Sequence, residues 1–341
     1  IADLTKTGKY ISETKECLSN RAIDDSGIKV IPANTVVMSF KLSIGKTAIT
    51  AEDMYSNEAI MAFHDKHVVK ILPEYIYYMF KYKNWDEGSN KAVMGKTLNK
   101  ATLSEVEIDI CSLEEQREIV KVLDKMMSVL DGRETELSLL DDLIKARFVE
   151  MFGDPIINSF GIETKPMTDV CEIIDGDRGK NYPTADEFSD KGYCLFLNAK
   201  NVTSTGFNFD TCMFVTKEKD EVLRKGKLSR GDVVLTTRGT LGNLAFYTKA
   251  IPFEHVRINS GMVILRMKQD VVNEVYFIEQ FKMQLADIRE KNASGSAQPQ
   301  LPISTMNKIN ILIPDIEKQR QFADFVHQVD KSKFAVMWSY L

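Results

Sequence analysis

The stretch VLTTRGTLGNLAF, from Val234 to Phe246, begins and ends with apolar runs typical of strands. Between the runs lie small polar residues, Arg238 and two glycines, which suit a turn between paired strands. Such a loop fits a phosphate cradle, a catalytic turn or a surface that presents side chains to another molecule. A second copy elsewhere in the chain narrows this choice.

The related stretch VMSFKLSIGKTAI lies 197 positions earlier, from Val37 to Ile49. Further matches follow in the same order at offsets of 197 to 203 positions, ending with LEEQREI at Leu113 to Ile119 and IEKQRQF at Ile316 to Phe322. Collinear matches of this kind indicate two homologous domains, and the long period excludes a solenoid. Each domain is predicted to be a mixed α/β unit followed by a helix.

The second domain carries residues Asp154 to Lys200 ahead of its Asn201 motif, whereas only two residues precede the matching Asp3. We therefore expect the beginning of the first domain to lie outside this sequence. The predicted organisation is a first domain at residues 1–112 without its N-terminal part, a helix at 113–152, a second domain at 153–313 and a truncated second helix at 314–341.

After Leu113 an apolar residue recurs every three or four positions, the heptad pattern of a helix that packs along another helix. The seam consists of Ile119, Leu123, Met126, Leu130, Arg133, Leu137, Leu140 and Ile144. The second copy repeats the pattern with Phe322, Val326, Val329, Lys333, Val336 and Tyr340. We expect the two helices to form an antiparallel coiled coil that holds the domains apart.

The net charge of −5 disfavours a nucleic-acid partner only if it is evenly spread. Most of the acidity lies in the first predicted helix, and Lys217 to Lys249 carries eight basic and four acidic residues. No stretch is long and apolar enough to span a membrane, and the five cysteines and four histidines lack zinc-site spacing. We expect a cytoplasmic protein without a metal or a membrane partner.

Two mixed α/β domains, each followed by a helix beginning near Gln-Arg, and FVEMFGDP at Phe148 to Pro155 resemble the specificity subunit of type I restriction-modification systems. The resemblance covers essentially the whole chain. It implies two target recognition domains, each reading one half of a bipartite, asymmetric site on double-stranded DNA. It also implies helices that set the spacer between half-sites and dock two methyltransferase subunits, with translocase and endonuclease subunits as further partners.

The resemblance implies a recognition subunit rather than an enzyme. The chain has no Asn/Asp-Pro-Pro-aromatic sequence and no glycine-rich turn that would bind a methyl donor. S-adenosylmethionine is therefore expected in the partner methyltransferase subunits, with no cofactor in this chain. The alternative is a protein-interaction scaffold, or a DNA-binding regulator with duplicated domains and no link to modification enzymes.

Loops rich in hydroxyl, amide and guanidinium groups are the candidates for DNA contact, because these groups pair with base edges and phosphates. In the second domain they contribute Thr237, Arg238, Thr240 and Asn243 from the opening loop, Arg178, Lys180 and Tyr182 from GDRGKNY, Asn259, and Gln298 and Gln300 from ASGSAQPQL. In the first domain they contribute Lys41, Ser43, Lys46 and Lys96. Phe40 and Leu42 replace Thr237 and Gly239, as we expect of domains that read different sequences.

Overall fold

The computed structural model describes residues 2–41, 43–85, 90–92, 95–97, 100–268, 270–292 and 300–338. The chain divides into two compact units, Ile1–Gly132 and Arg133–Leu341. The division lies within a helix, Leu113–Phe152, whose first half packs in the first unit and whose second half packs in the second. Among the described helices, none is both long and apolar enough to cross a bilayer.

The first unit is built around a four-stranded sheet. Its elements are α1 (Ala2–Lys6), β1 (Tyr10–Ile11), α2 (Asn20–Ser26), β2 (Val36–Ser39), β3 (Thr47–Thr50), β4 (Ile60–Phe63), α3 (Pro73–Tyr82), β5 (Asn90–Ala92), β6 (Gly95–Thr97), α4 (Lys100–Ser104) and α5 (Leu113–Phe152), which continues into the second unit. The strand order is β1-β3-β2-β4. β2 is antiparallel to both β3 and β4, and β1 is parallel to β3.

The second unit contains a four-stranded and a three-stranded sheet. After α5 come β7 (Thr164–Pro166), α6 (Met167–Val170), β8 (Cys171–Asp175), β9 (Cys194–Leu197), β10 (Val202–Thr203), β11 (Gly206–Phe207), β12 (Phe214–Val215), α7 (Lys217–Val222), β13 (Val233–Thr236), β14 (Leu244–Phe246), β15 (Val256–Ile258), β16 (Met262–Met267), α8 (Glu274–Asn292), α9 (Ile303–Met306), β17 (Asn310–Leu312) and α10 (Ile316–Trp338). The larger sheet is antiparallel with the order β14-β13-β16-β8, and the smaller has the order β12-β9-β15.

The central strand of each unit is buried on both faces. In β13, Val233 and Leu235 belong to the core formed with α5, α8 and α10, while Val234 belongs to the core formed with the three-stranded sheet. In β2, Val36 and Met38 likewise pack with α3 and α5. Successive side chains of a strand point to opposite faces, so a continuous apolar run encodes a strand covered on both sides.

The register of the strands confirms the predicted duplication. Val37 pairs with Ala48 in the hairpin β2–β3, and Val234 pairs with Ala245 in the hairpin β13–β14, so both partners are displaced by 197 positions. In both units the next strand, β4 or β16, lies antiparallel on the other side of the central strand. The two units therefore share a three-stranded centre and are mixed assemblies of helix and sheet.

A buried glutamine joins α5 to the first unit. Gln116 is fully buried; its Oε1 accepts a hydrogen bond from the backbone N–H of Leu72 at 2.9 Å. Its Nε2 donates to the carbonyls of Lys70 at 3.1 Å and Cys111 at 3.0 Å. Because Leu72 is the N-cap of α3, this side chain satisfies backbone groups near the starts of two helices at once.

Gln319 makes the same three contacts in the second unit. Its Oε1 accepts from the N–H of Asn273 at 2.9 Å, and its Nε2 donates to the carbonyls of Pro314 at 2.8 Å and Val271 at 3.5 Å. Asn273 immediately precedes α8. The glutamine of the repeated Gln-Arg motif therefore ties the start of each long helix to the start of the preceding domain helix.

Within the second unit, α10 runs antiparallel to the second half of α5. Lys333 pairs with Asp141 at 2.7 Å, whereas Phe322, earlier in α10, meets Phe148, later in α5, with ring centroids 5.4 Å apart. The seam positions are buried at Ile144, Phe322, Val326, Val329 and Val336 and half-buried at Arg133, Leu137 and Leu140. Tyr340 lies outside the described residues.

In the first unit the packed face of α5 differs from the predicted seam. Val120, Leu123 and Met127 pack against the core of that unit. The seam positions Ile119, Met126 and Leu130 are exposed instead. The packing predicted for these three positions is therefore absent from the described residues. The heptad pattern did not reveal this because Leu123 belongs to two apolar stripes, and the domain uses the other stripe.

Replacing Gln319 with alanine should destabilise the second unit. The truncation leaves the N–H of Asn273 and two carbonyls without their partner, and unmade buried hydrogen bonds cost about 1–3 kcal/mol each. We expect a loss of about 3 kcal/mol or more, measured as a lower urea midpoint of unfolding. Gln321→Ala, at an exposed position of the same helix, is the matched control and should leave the midpoint nearly unchanged. Equal midpoints for the two variants would contradict this role.

Candidate nucleic-acid interface

Four loops of the second unit meet at one end of its larger sheet, where β8 and β13 end and β14 and β16 begin. The guanidinium of Arg178 donates to the carbonyl of Ser260 at 3.2 Å, which joins the loop after β8 to the turn before β16. The N–H of Thr237 donates to the carbonyl of Gly261 at 2.9 Å. The N–H of Leu301 donates to the carbonyl of Thr237 at 3.2 Å. These bonds hold the loops together as one surface.

A buried hydroxyl fixes the loop between β13 and β14. The Thr236 hydroxyl donates to the carbonyl of Thr240 and accepts from the N–H of Asn243 at 2.9 Å. The N–H of Gly242 donates to the carbonyl of Thr236 at 2.9 Å, and Gly242 has a φ of 87°, a left-handed conformation that favours glycine. The hydroxyl and the glycine thus close the loop, and Arg238, Gly239 and Thr240 are exposed at its tip. We call this arrangement the hydroxyl clamp.

The first unit has the same hydroxyl clamp. The Ser39 hydroxyl donates to the carbonyl of Ser43 and accepts from the N–H of Lys46 at 3.1 Å. The N–H of Gly45 donates to the carbonyl of Ser39 at 2.9 Å, and Gly45 also has a φ of 87°. All these residues lie 197 positions before their counterparts. The two loops therefore share a backbone while their tips carry different side chains.

The tip of the second loop lines a cleft of about 280 Å³. Arg178, Arg238 and Gln300 contribute polar side chains to its wall, so the structure brings together three loops that the sequence singled out. Arg238 and Gln300 are exposed. Within the described part of the chain, Arg238 makes no hydrogen bond and no ion pair, so its donors are available to a ligand.

Two carboxylates shape the electrostatics beside the cleft. Asp175 pairs with Arg178 at 3.1 Å, which partly neutralises that guanidinium. Asp177 is buried and accepts hydrogen bonds from the backbone N–H groups of Arg224 and Gly179, both at 2.8 Å. These bonds hold the pKa of Asp177 below its usual range. Asp177 therefore stays ionised at neutral pH and ties the loop after β8 to the turn after α7.

Several of the side chains that were predicted to contact DNA instead form contacts within the protein. The Thr237 hydroxyl donates to the carbonyl of Gly261 at 3.0 Å, and the Asn243 amide donates to the carbonyl of Val202, also at 3.0 Å. Asn259 accepts from the N–H of Gly261 at 2.9 Å. Tyr182 packs edge-on against Phe196, with ring centroids 5.7 Å apart. These four residues organise the surface, while Lys180 and Thr240 are exposed on it and Gln298 lies outside the described residues.

The residues of the first unit that were predicted to contact DNA do not all lie at one loop. Lys41 lies over the ring of Phe40 at 5.5 Å, next to the exposed Ser43. The Lys46 ammonium donates to the hydroxyl of Thr5, so it holds α1 against the loop. Lys96 lies on β6, a short strand that is distant from the β2–β3 hairpin in the sequence. The structure thus places Lys41 and Ser43 at the loop tip and gives Lys46 an internal partner.

Sequence reasoning missed two arginines at this end of the second unit. A β-carbon built on Gly179 would lie 2.6 Å from an Nη of Arg224, and one built on Gly242 would lie 3.3 Å from Nε of Arg289. Both arginines therefore border the predicted loops. The basic run from Lys217 to Lys249 contains Arg224 and was a usable signal. Arg289 lies in the last turn of α8, far from the loop in the sequence, so only the fold brings it there.

Residues 2–138 and 161–337 match a family model described as the type I restriction modification DNA specificity domain. A relative from Methanocaldococcus jannaschii, the type I restriction enzyme MjaIX specificity subunit, is 23% identical over 324 residues, which covers 89% of this chain and 73% of the relative. Both matches extend over the two repeated units.

The fold is similar to that of a solved structure. This structure, from work on complex assembly and conformational transition of the type I R-M system, matches with a TM-score of 0.51 and 15% identity, covering 90% of this chain and 77% of that one. The HsdS subunit from Thermoanaerobacter tengcongensis matches with a TM-score of 0.45 and 15% identity, covering 92% and 77%.

Replacing Thr236 with valine should release the clamped loop. Valine keeps the shape but removes the hydroxyl, which leaves the N–H of Asn243 and the carbonyl of Thr240 unpaired. Hydrogen exchange of the Asn243 N–H should quicken by about tenfold or more, since such losses cost about 1–3 kcal/mol. Thr236→Ser is the matched control, because serine holds the same clamp at Ser39. Unchanged exchange in the valine variant would show that the hydroxyl does not fix the loop.

Proposed function

This chain belongs to the family of type I restriction-modification DNA specificity domains, and we propose that each of its two units reads one half of a bipartite, asymmetric site on double-stranded DNA. The observation that carries this proposal is the pair of hydroxyl clamps at Ser39 and Thr236, whose loops share a backbone and differ at their tips. One scaffold with two sets of exposed side chains suits recognition of two different sequences. The family match does not favour the protein-interaction scaffold.

The cleft of the second unit offers the donors that read base edges in the major groove. An arginine pairs bidentately with O6 and N7 of guanine, and a glutamine pairs with N6 and N7 of adenine. Arg238 has no partner among the described residues, so it can contact a base without first breaking an internal bond. Gln300 shares the cleft with it, and the Thr240 hydroxyl is exposed on the same loop. We assign Arg238 the leading role in this half-site.

The loop of the first unit carries a different chemistry. Lys41 supplies a cation that can contact guanine or a phosphate, whereas the neighbouring Phe40 packs against the core of the unit. The corresponding positions in the second unit are Arg238 and Thr237. Thr237 likewise has an internal partner, so the difference open to a ligand is lysine in place of arginine, which offer different donors to bases. The target site is therefore expected to be asymmetric.

The long helices serve as spacers and as docking surfaces in this proposal. α5 is a helix of 40 residues, and at about 1.5 Å per residue it is about 60 Å long. Its seam positions Ile119, Met126 and Leu130 are exposed apolar side chains, which suit contact with a methyltransferase subunit. Two such subunits, and translocase and endonuclease subunits where present, complete the proposed complex.

The chain is proposed to recognise DNA without catalysing a reaction. Methyl transfer from S-adenosylmethionine to adenine, and cleavage of DNA, are assigned to the partner subunits in the cytoplasm. This chain's own task is to hold the two half-sites in register, so that the partners act at fixed positions. Phosphate contacts set that register, and base contacts select the sequence.

Mapping adenine methylation in a host that carries this chain with its cognate methyltransferase tests the proposal. The expected result is a new methylated motif of two different short sequences separated by a spacer of fixed length. The control is the same host with the methyltransferase alone, which should produce no such motif. A continuous motif, a symmetric motif or no new methylation would contradict the proposal.

A further inference from the structure

Exposed cations flank the reading cleft of the second unit at both edges of its four-stranded sheet. The first group consists of Arg224 and Lys225 in the turn after α7, beside the loop that follows β8. The second is Arg289 near the end of α8, beside the loop that precedes β14. β8 and β14 are the two edge strands of the sheet. The cations therefore stand on opposite sides of the cleft.

The first group is held in place by a buried network. The side chain of Arg257 is only 6% exposed; its Nε donates to Asp220 at 2.5 Å. Its two Nη atoms donate to the carbonyls of Lys225 at 2.7 Å and Leu223 at 2.9 Å. Burial opposes ionisation of Asp220, but hydrogen bonds from Lys227 and Arg257 outweigh it and hold its pKa below the usual range. The network fixes the backbone of the turn while its cations remain outside.

Arg224 and Lys225 project from this fixed turn. The Arg224 side chain is 74% exposed and lies 3.7 Å from the carboxylate of Asp177, which is already satisfied by two backbone N–H groups. Lys225 is exposed and has no side-chain partner within the described ranges. A guanidinium and an ammonium that are fixed at the backbone and open to solvent are suited to contact an anion.

Arg289 stands at the other edge. Its Nε donates to the carbonyl of Leu285 at 3.3 Å, which orients the side chain along α8 toward Gly242. Glycine at this position leaves room for the guanidinium, because a β-carbon there would come within 3.3 Å of it. In the part of the chain that the structure describes, Arg289 forms no ion pair. Arg289 is exposed beside the clamped loop.

The width of this end of the sheet is close to the width of the major groove of DNA. The edge strands are three strand spacings apart, or about 14 Å at about 4.8 Å for each spacing. The major groove of B-DNA is about 12 Å wide and is bounded by a phosphate backbone on either side. A sheet end that places base-reading groups in the middle and cations at both edges thus fits across one groove.

We propose that Arg224 with Lys225 and Arg289 contact the phosphates on the two walls of the groove that Arg238 reads. This inference rests on the proposed function of the second unit and adds residues with a different role. The two groups set the register of the unit on the duplex and supply affinity that does not depend on sequence. Arg238 and Gln300 select the bases between them.

The test compares Arg224→Ala/Lys225→Ala and Arg289→Ala with the unaltered full chain, each assembled with the methyltransferase. Affinity for a duplex containing the methylated motif and for a random duplex is measured over a range of salt concentrations. Each lost phosphate contact should lower the slope of log affinity against log salt by about 0.9, so the double variant should lose about 1.8. Affinity should fall for both duplexes, and the methylated motif should stay unchanged.

The matched control is Lys249→Ala, which removes an exposed cation after β14, at the opposite end of the sheet. Its salt slope should equal that of the unaltered chain. Equal slopes for all four proteins would overturn the inference, and a changed motif in either arginine variant would overturn it in favour of base contact. Failure of the unaltered complex to bind DNA or to methylate a split motif would instead refute the proposed function.

Discussion

A single buried hydroxyl at the end of the central strand is the constraint on which the exposed loop surface depends. Thr236 in the second unit, like Ser39 in the first, satisfies a carbonyl and an N–H of its own loop. Because the loop backbone forms its hydrogen bonds within the loop, the fold does not require particular side chains at the exposed tip, and these side chains can differ. The clamp explains how one fold can present Arg238 in one unit and Lys41 in the other.

The duplication and the positions of the strands and long helices could be predicted from the sequence. Apolar runs of the strand type recur at a constant offset, and the hairpins of both units have the register that this offset requires. The helix bounds follow from the heptad pattern and from Gly153, whose φ of 74° and bond from its N–H to the carbonyl of Val149 end α5. The apolar runs, the heptad pattern and the helix end each depend on residues that are close in the sequence, so they can be predicted from it.

The composition of the site depended on contacts between distant residues and could be predicted only in part. The sequence singles out Arg178, Arg238 and Gln300 because their loops have unusual composition, and the fold brings these three residues to one cleft. Asn243 and Tyr182 looked equally suitable but have internal partners that no local pattern shows. Arg289 was missed because a cation in the last turn of a helix is ordinary, and its proximity to Gly242 arises only in three dimensions.

The central claim is that each clamped loop reads its own half of a split site. The most direct test maps methylation in hosts carrying Lys41→Ala or Arg238→Ala with the cognate methyltransferase, and checks by co-purification that each complex assembles. The account predicts relaxed or lost recognition in one half of the motif for the first variant and in the other half for the second, with the spacer unchanged. If both variants alter the same half, or neither alters the motif, the account is contradicted.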